Sequence, residues 1–238
     1  MTSLAASGLR ARMESLDLIA NNVANASTGG YKADREFYSL YVAAEASDED
    51  GLGSMPVIER HWTDHAQGLL HSTGNPLDVA LDGKGFFAVN GPSGPLYTRN
   101  GSFRLSSDGR LTTQDGLAVR GDRGGAIMLD GTRNIQISSN GTVTQDGNVI
   151  VQLELSDFTS TEGLVKQGAN YFKISDPNLK PGSASATLAQ GQLESSNTGS
   201  AEASVRLVTV LRQFEMLQKA VTLGADMSKR AVEEVAKV

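Results

Sequence analysis

Apolar residues recur at Leu9, Met13, Leu16, Ala20 and Val23, spaced four, three, four, three. That spacing is the seam of a coiled coil. It predicts a helix over residues 3–24 with Ser3 as its cap. Arg10, Arg12, Glu14 and Asp17 stand on the opposite face. Asn21, Asn22, Asn25 and then Ser27-Thr28-Gly29-Gly30 predict its end, because Asn and Gly accept left-handed backbone. The asparagines read either as a plain C-cap or as amides that fix register between packed helices. The far end repeats the pattern at Leu207, Val210, Phe214, Leu217 and Val221, spaced three, four, three, four. A second helix is predicted from about Ser200, on the order of 50 Å long. Ser195-Ser196-Asn197 would supply its capping residues. The ten seam positions are the expected assembly interface.

Between these helices the period shortens. Residues 31–60 fit both a helical stripe (Phe37, Leu40, Tyr41, Ala44) and a strand (Tyr38, Leu40, Val42), and read as a connector. It contains the acidic run Asp48-Glu49-Asp50, expected as a solvated loop. From about Pro56, short apolar pieces alternate with Asx-Gly turns at Asp82, Asn100, Asp108, Asp115, Asp130, Asn140 and Asp146. Asn-Gly and Asp-Gly supply the positive φ angles of tight hairpins. Strands are predicted at Leu77–Leu81, Phe86–Val89, Leu96–Arg99, Phe103–Leu105, Leu111–Thr113, Leu117–Arg120, Ala126–Leu129, Ile135–Ile137, Thr142–Thr144, Val149–Leu155, Tyr171–Ile174 and Thr187–Glu194. SSDGRLTTQDG (Ser106–Gly116) resembles SSNGTVTQDG (Ser138–Gly147), which reads as hairpins converging on similar words. The expected fold class is α+β. Long N- and C-terminal helices form a coiled-coil or helical-bundle domain, with a central all-β, hairpin-rich, barrel-like domain. The expected divisions are 1–30 with 198–238 (terminal helical assembly), 31–60 (connector) and 61–197 (β domain).

Composition narrows the partners. The 238 residues carry a net charge of −6 with a pI near 5.1. Without a basic block, nucleic acid and anionic membrane surfaces are not expected partners. There is no cysteine, so neither a disulfide framework nor a thiolate metal site is expected. No apolar run approaches the roughly 20 residues that span a bilayer, and no cleavable signal pattern stands at the N-terminus. His61 and His65 lie four apart without helical support or a third ligand, and no HExxH, Walker, GxSxG or complete calcium-loop pattern is present. No catalytic residue, metal ligand or cofactor is assigned, and the chain is not expected to be an enzyme.

The words themselves carry more. Ala20-Asn21-Asn22-Val23-Ala24-Asn25-Ala26-Ser27-Thr28-Gly29-Gly30-Tyr31-Lys32 resembles the N-terminal signature of the flagellar rod and hook family, with Asn21, Asn22, Asn25, Gly30, Tyr31 and Lys32 as its motif residues. Thr73–Leu81 (TGNPLDVAL), Gly85–Val89 (GFFAV) and Tyr97–Phe103 (YTRNGSF) match the family's central words in order. Gly191–Asn197 (GQLESSN) is similar to the word before its last helix. Arg212–Lys219 (RQFEMLQK) and Val119–Ile127 resemble the family's proximal-rod branch, with the distal branch second; Gly125-Ala126 stands where that branch usually has Gly-Pro. The resemblance covers nearly the whole chain. It implies a structural subunit of the bacterial flagellar basal-body rod, the axial shaft that transmits motor torque. It also implies export through the flagellar type III apparatus without a cleaved signal, and assembly with copies of itself and other rod and hook proteins. The competing reading from the residues alone is an oligomeric ligand-binding β module on a helical stalk. A third, a hydrolase using His61 or His65, has no active-site spacing behind it.

Overall fold

The computed structural model describes residues 2–42, 54–168 and 170–235. The acidic run at 48–50 lies outside the described residues. The chain divides into two compact units. The first holds Met1–Ala24, Asp34–Asp64 and Thr198–Val238; the second holds Asn25–Ala33 and His65–Asn197.

In the first unit, α1 (Thr2–Ala24) packs on α2 (Ser200–Val235) and on the antiparallel hairpin of β1 (Asp34–Val42) and β2 (Ser54–Thr63). Among the described side chains of α1, the buried positions are Gly8, Ala11, Ser15, Ile19 and Asn22. They fall on one helical stripe. Four of the five are small or polar, so neighbouring backbones can approach closely. Asn22 closes the stripe. Its amide donates to the Asp34 carbonyl at 2.8 Å and accepts from the Asp34 N–H at 3.0 Å, copying a strand's donor and acceptor at the point where β1 begins. Thr63 Oγ1 donates to Asp34 Oδ1 at 2.8 Å, and Arg35 pairs with Asp64 at 2.7 Å, closing the base of the hairpin.

The second unit is built from short strands. A six-stranded sheet runs, in spatial order, through β13 (Leu164–Lys166), β14 (Tyr171–Ile174), β6 (Gly94–Thr98), β5 (Phe86–Gly91), β12 (Leu155–Asp157) and β15 (Gly182–Ser183). A three-stranded sheet orders β11 (Asn148–Gln152), β10 (Thr142–Gln145) and β9 (Ile135–Ile137). Pairs form between β16 (Thr187–Gln190) and β4 (Val79–Asp82), between β17 (Gln192–Glu194) and β3 (Leu70–Ser72), and between β7 (Phe103–Leu105) and β8 (Leu111–Thr113). β5 explains the uninterrupted apolar word FFAV. Phe87 and Val89 enter the main core with Val79, Leu81, Leu111 and Val143. Phe86 and Ala88, on the other face, enter a second core with Tyr97, Phe158 and Phe172. A strand covered on both sides has no polar face to alternate with.

The tight turn between β10 and β11 has both central residues at positive φ, Asp146 at 49° and Gly147 at 83°. That is the backbone of a two-residue type I′ hairpin. The two similar words also share hydrogen bonds. The N–H groups of Ser106 and Ser138 donate to Arg110 and Thr142, both at 2.9 Å, and those of Gly109 and Gly141 donate to Ser106 and Ser138, both at 2.9 Å. The carbonyls of Gly109 and Gly141 then receive Leu129 and Leu153 at 2.7 and 2.8 Å. The likeness is thus a repeated tertiary device rather than a coincidence of turn residues.

The expected fold class is corrected on both counts. The chain is mostly β, with seventeen strands and two helices among the described residues, and the terminal segments do not make a coiled-coil or bundle domain. A bundle needs helices on every side of the apolar stripe, whereas a hairpin takes one of those sides here. The large apolar residue Met13 is left 55% exposed. The β unit is not a barrel either. Its largest sheet ends at β13 and β15, which do not pair with each other among the described residues. Strands of two to six residues, cut by positive-φ turns, are too short to wrap and close.

Candidate functional site: a buried ion cluster in the β unit

Two segments far apart in sequence are stitched together inside the second unit. The Gly30 N–H donates to the Glu194 carbonyl at 2.7 Å, and the Asn197 N–H donates to the Tyr31 carbonyl at 3.2 Å. Gly30 has a φ of +66°, and a Cβ built on it would lie 2.5 Å from Arg99 C and Asn100 N. Only glycine meets both conditions, so the segment can run directly against the backbone of Arg99.

This approach brings three charges together. The Lys32 ammonium donates to Glu194 Oε1 at 2.6 Å and to the Ala66 carbonyl at 2.7 Å. Arg99 Nε donates to Glu194 Oε2 at 2.8 Å, and the Gly68 N–H donates to Oε1 at 2.8 Å. The side chains of Lys32 and Glu194 are wholly buried and that of Arg99 is 4% exposed. Two cations share one carboxylate, and backbone carbonyls take up the remaining donors. Arg99 Nη1 reaches Gly83 and Gly85, each at 2.8 Å, and Nη2 reaches Leu81 at 3.3 Å. Those carbonyls face the guanidinium because Gly83 and Gly85 lie at the turn between β4 and β5.

A second layer fixes residues 29–33. Lys166 Nζ donates to the Lys32 carbonyl at 2.6 Å and stands 4.4 Å from the centre of the Tyr31 ring. Asn170 donates to the Gly29 carbonyl at 3.1 Å. Asn197 accepts from the Ala33 N–H at 2.8 Å and donates to the Ala66 carbonyl at 3.2 Å. Asn197, expected as a helix cap, thus tethers the N-terminal segment instead, and α2 begins three residues later at Ser200.

Chemically this is a clamp. The carboxylate already accepts from three donors and the guanidinium is spread over four acceptor groups, so neither is poised to react. Such a cluster gains little over apolar packing of the same volume, but removing one partner strands the others in a dry interior.

The motif residues of the N-terminal word separate. Gly30, Tyr31 and Lys32 enter the cluster, while Asn22 holds Asp34 in the first unit. Asn25 receives the Thr28 N–H at 3.0 Å, and Asn21 is exposed. Of the ten seam positions, Val210 is buried, Met13 and Ala20 are exposed, and the other seven are half-buried. His65 serves as an aromatic core contact, its ring centre 5.7 Å from that of Phe86 and 5.0 Å from that of Phe172. His71 Nδ1 lies 3.1 Å from Ser195 Oγ, and His61 is exposed. Among the described residues no three His, Asp or Glu side chains converge on a metal position. Neither Glu194 nor Arg99 stands out in the sequence by residue type or spacing. The available signal was their place inside words shared with a family.

Comparison with known proteins meets the same three residues. Residues 4–32 match the family described as flagella basal body rod protein, residues 80–145 the flagellar hook protein FlgE/F/G D1 domain, and residues 189–234 the flagellar basal body rod FlgEFG protein C-terminal region. Lys32, Arg99 and Glu194 come one from each matched segment. The chain is 31% identical over 231 residues to the flagellar basal-body rod protein FlgF of Caulobacter vibrioides, covering 94% of this chain and 92% of that protein. It is 32% identical over 260 residues to the flagellar basal-body rod protein FlgG of Bacillus subtilis, covering 95% of each. It is 32% identical over 255 residues to FlgG of Borreliella burgdorferi, covering 94% of each.

Proposed function

Because the chain belongs to the flagellar rod and hook family and is a structural subunit of the flagellar basal body, not an enzyme, we propose that it takes the proximal, FlgF-type position in the rod. There it would assemble with copies of itself and with other rod and hook proteins into the torque-bearing shaft. Arg212–Lys219 and Val119–Ile127 support the proximal over the distal position. Family membership also supports delivery by the flagellar type III export apparatus without a cleaved signal, and residence in the periplasmic span of the rod.

One observation carries the assembly reading. α2 is apolar on more than one side. Ala203, Leu207, Val210, Phe214, Leu217 and Val221 are buried or half-buried, yet Val205, Val208, Leu211, Met216, Leu223 and Met227 are each 44% exposed or more. A surface helix of a lone subunit keeps one apolar stripe, and a second row marks a surface that other chains cover. Burying one such side chain contributes about 1.5–3 kcal/mol. The half-buried seam positions Leu9, Leu16 and Val23 would be covered in the same step.

The chain has no cysteine, which allows a direct test. Val208→Cys or Met216→Cys chains, alkylated with a maleimide that carries a photoreactive benzophenone, should on illumination in isolated basal bodies crosslink to a neighbouring subunit by insertion into one of its C–H bonds, and the mass of the product identifies that neighbour. Crosslinks to FlgG-type subunits alone would overturn the proximal position. Absence of any crosslink in basal bodies that contain the variant would overturn the assembly surface.

A further inference from the structure

The backbone passes between the two units at four points: after Ala24, after Ala33, after Asp64 and after Asn197. Residues 25–33 are therefore a short strap sewn into the β unit, with chain of the other unit on both sides. Three of the four crossings are tied to one another within the β unit. The Ala33 N–H is bound by the Asn197 side chain, the same side chain binds the Ala66 carbonyl, and Lys32 binds that carbonyl as well as Glu194. Every residue from 29 to 33 makes at least one hydrogen bond to the rest of the unit or within its own turn, but among the apolar residues of the strap only Tyr31 and Ala33 are buried. The strap thus combines a dense set of polar ties with the burial of Tyr31 and Ala33.

We propose that the Lys32–Glu194–Arg99 cluster is a mechanical lock that keeps residues 25–33 from being peeled out of the β unit when torque passes through the subunit. The inference rests on the reading of the chain as part of a torque-bearing shaft. Its physical basis is the shape of the energy profile. Apolar contacts slide with little loss, because any apolar neighbour serves. The Lys32 and Glu194 side chains are wholly buried, so charges pulled apart there lose their partner before solvent replaces it, and the resistance rises steeply with the first displacement. Glu194 is the positioning residue of the lock, because it touches both cations, one with each carboxylate oxygen. Arg99 anchors Glu194 to the β4–β5 turn, so load on the strap is passed to the centre of the sheet.

The test uses the full chain with pulling handles at two exposed sites, Ser27→Cys on the strap and Thr132→Cys on the β unit. A control pair, Thr132→Cys and Lys173→Cys, lies outside the strap. In single-molecule pulling, Glu194→Gln should release the strap on the order of 100-fold faster at a given force, and the control pair should show a much smaller change. Asn197→Ala, which removes two ties without stranding a charge, should accelerate strap release by a smaller factor. Equal release rates in the parent and both variants would overturn the lock, as would equal acceleration across both handle pairs. In cells carrying the gene, Glu194→Gln should leave rods assembled and slow swimming most in viscous medium. If deleting the gene abolishes motility while the Glu194→Gln strain swims like the parent under load, the lock falls. If deletion leaves motility intact, the rod reading falls instead.

Discussion

Replacing Glu194 by glutamine keeps its shape and removes its charge. In the parent the carboxylate accepts from Lys32, Arg99 and the Gly68 N–H. In the variant one carbonyl oxygen remains to accept from one cation, and the amide N–H₂ is turned toward the other. Breaking a buried ion pair by removing one partner costs about 3–5 kcal/mol. The β unit has about 140 residues, for which 1 kcal/mol corresponds to roughly 3–5 °C in Tm. Its melting transition should therefore fall by about 10–20 °C, followed by calorimetry and by near-ultraviolet dichroism of Tyr31, Tyr97 and Tyr171. The sharper result is a change of sign. Lys32→Met alone leaves Glu194 paired with Arg99 and should destabilise by about 1–3 kcal/mol. Added to Glu194→Gln, it removes a stranded cation and should stabilise. Equal costs for Lys32→Met in the two backgrounds, or a Glu194→Gln cost below about 1 kcal/mol, would refute the account of the cluster as a mutually dependent set of buried charges.

Gly30→Ala should destabilise the β unit by about 2–5 kcal/mol, combining a left-handed backbone with overlap against the Arg99–Asn100 peptide; a urea midpoint within error of the parent would show that the strap can shift at no cost. Burial raises the phenol pKa of Tyr171 above its ordinary value, with the hydrogen-bonded Asp115 carboxylate adding to it, and burial followed by the nearby Glu154 charge raises that of Tyr97. A raised folded pKa gives stability that is complete below the unfolded value of about 10 and is lost as pH rises above it. Urea melts should therefore weaken between about pH 10 and 11, and flat stability across that window would contradict the burial of these rings. At the acid end, hydroxyl hydrogen bonds from Ser106 and Thr132 are the main causes that lower Asp108 and Asp130. Their contribution is complete above about pH 4 and is lost as pH falls through the lowered values. Asp108→Asn should flatten the acid limb of the stability profile, and an unchanged limb would count against it.

Much of the local structure was legible because short-range physics sets it. The Asx-Gly words mark where β4, β10 and β11 begin or end, since those residues supply the backbone that a tight turn requires. The strand at Phe103–Leu105 and that at Ile135–Ile137 have the bounds the apolar pattern assigns. Thr187–Glu194, read as one strand, is divided at Gly191, whose φ of +74° breaks the extended run. The order of words in the chain carried family membership, because each word is a local solution to a local constraint.

Tertiary structure decided the rest. Heptad spacing specifies an apolar stripe but not what lies against it. The same spacing at Leu9–Val23 serves a bundle or an open subunit surface, and the paired strands β1 and β2 settle which face of α1 is inward. What covers the two faces of β5 was invisible for a similar reason: an apolar run states that both faces are covered, not by which residues. The ion cluster lay furthest from view. Lys32, Arg99 and Glu194 are each ordinary surface-type residues when read alone, separated by 67 and 95 positions. Only the close approach allowed at Gly30 converts them into buried partners that depend on one another, because the cost of a charge is set by what surrounds it.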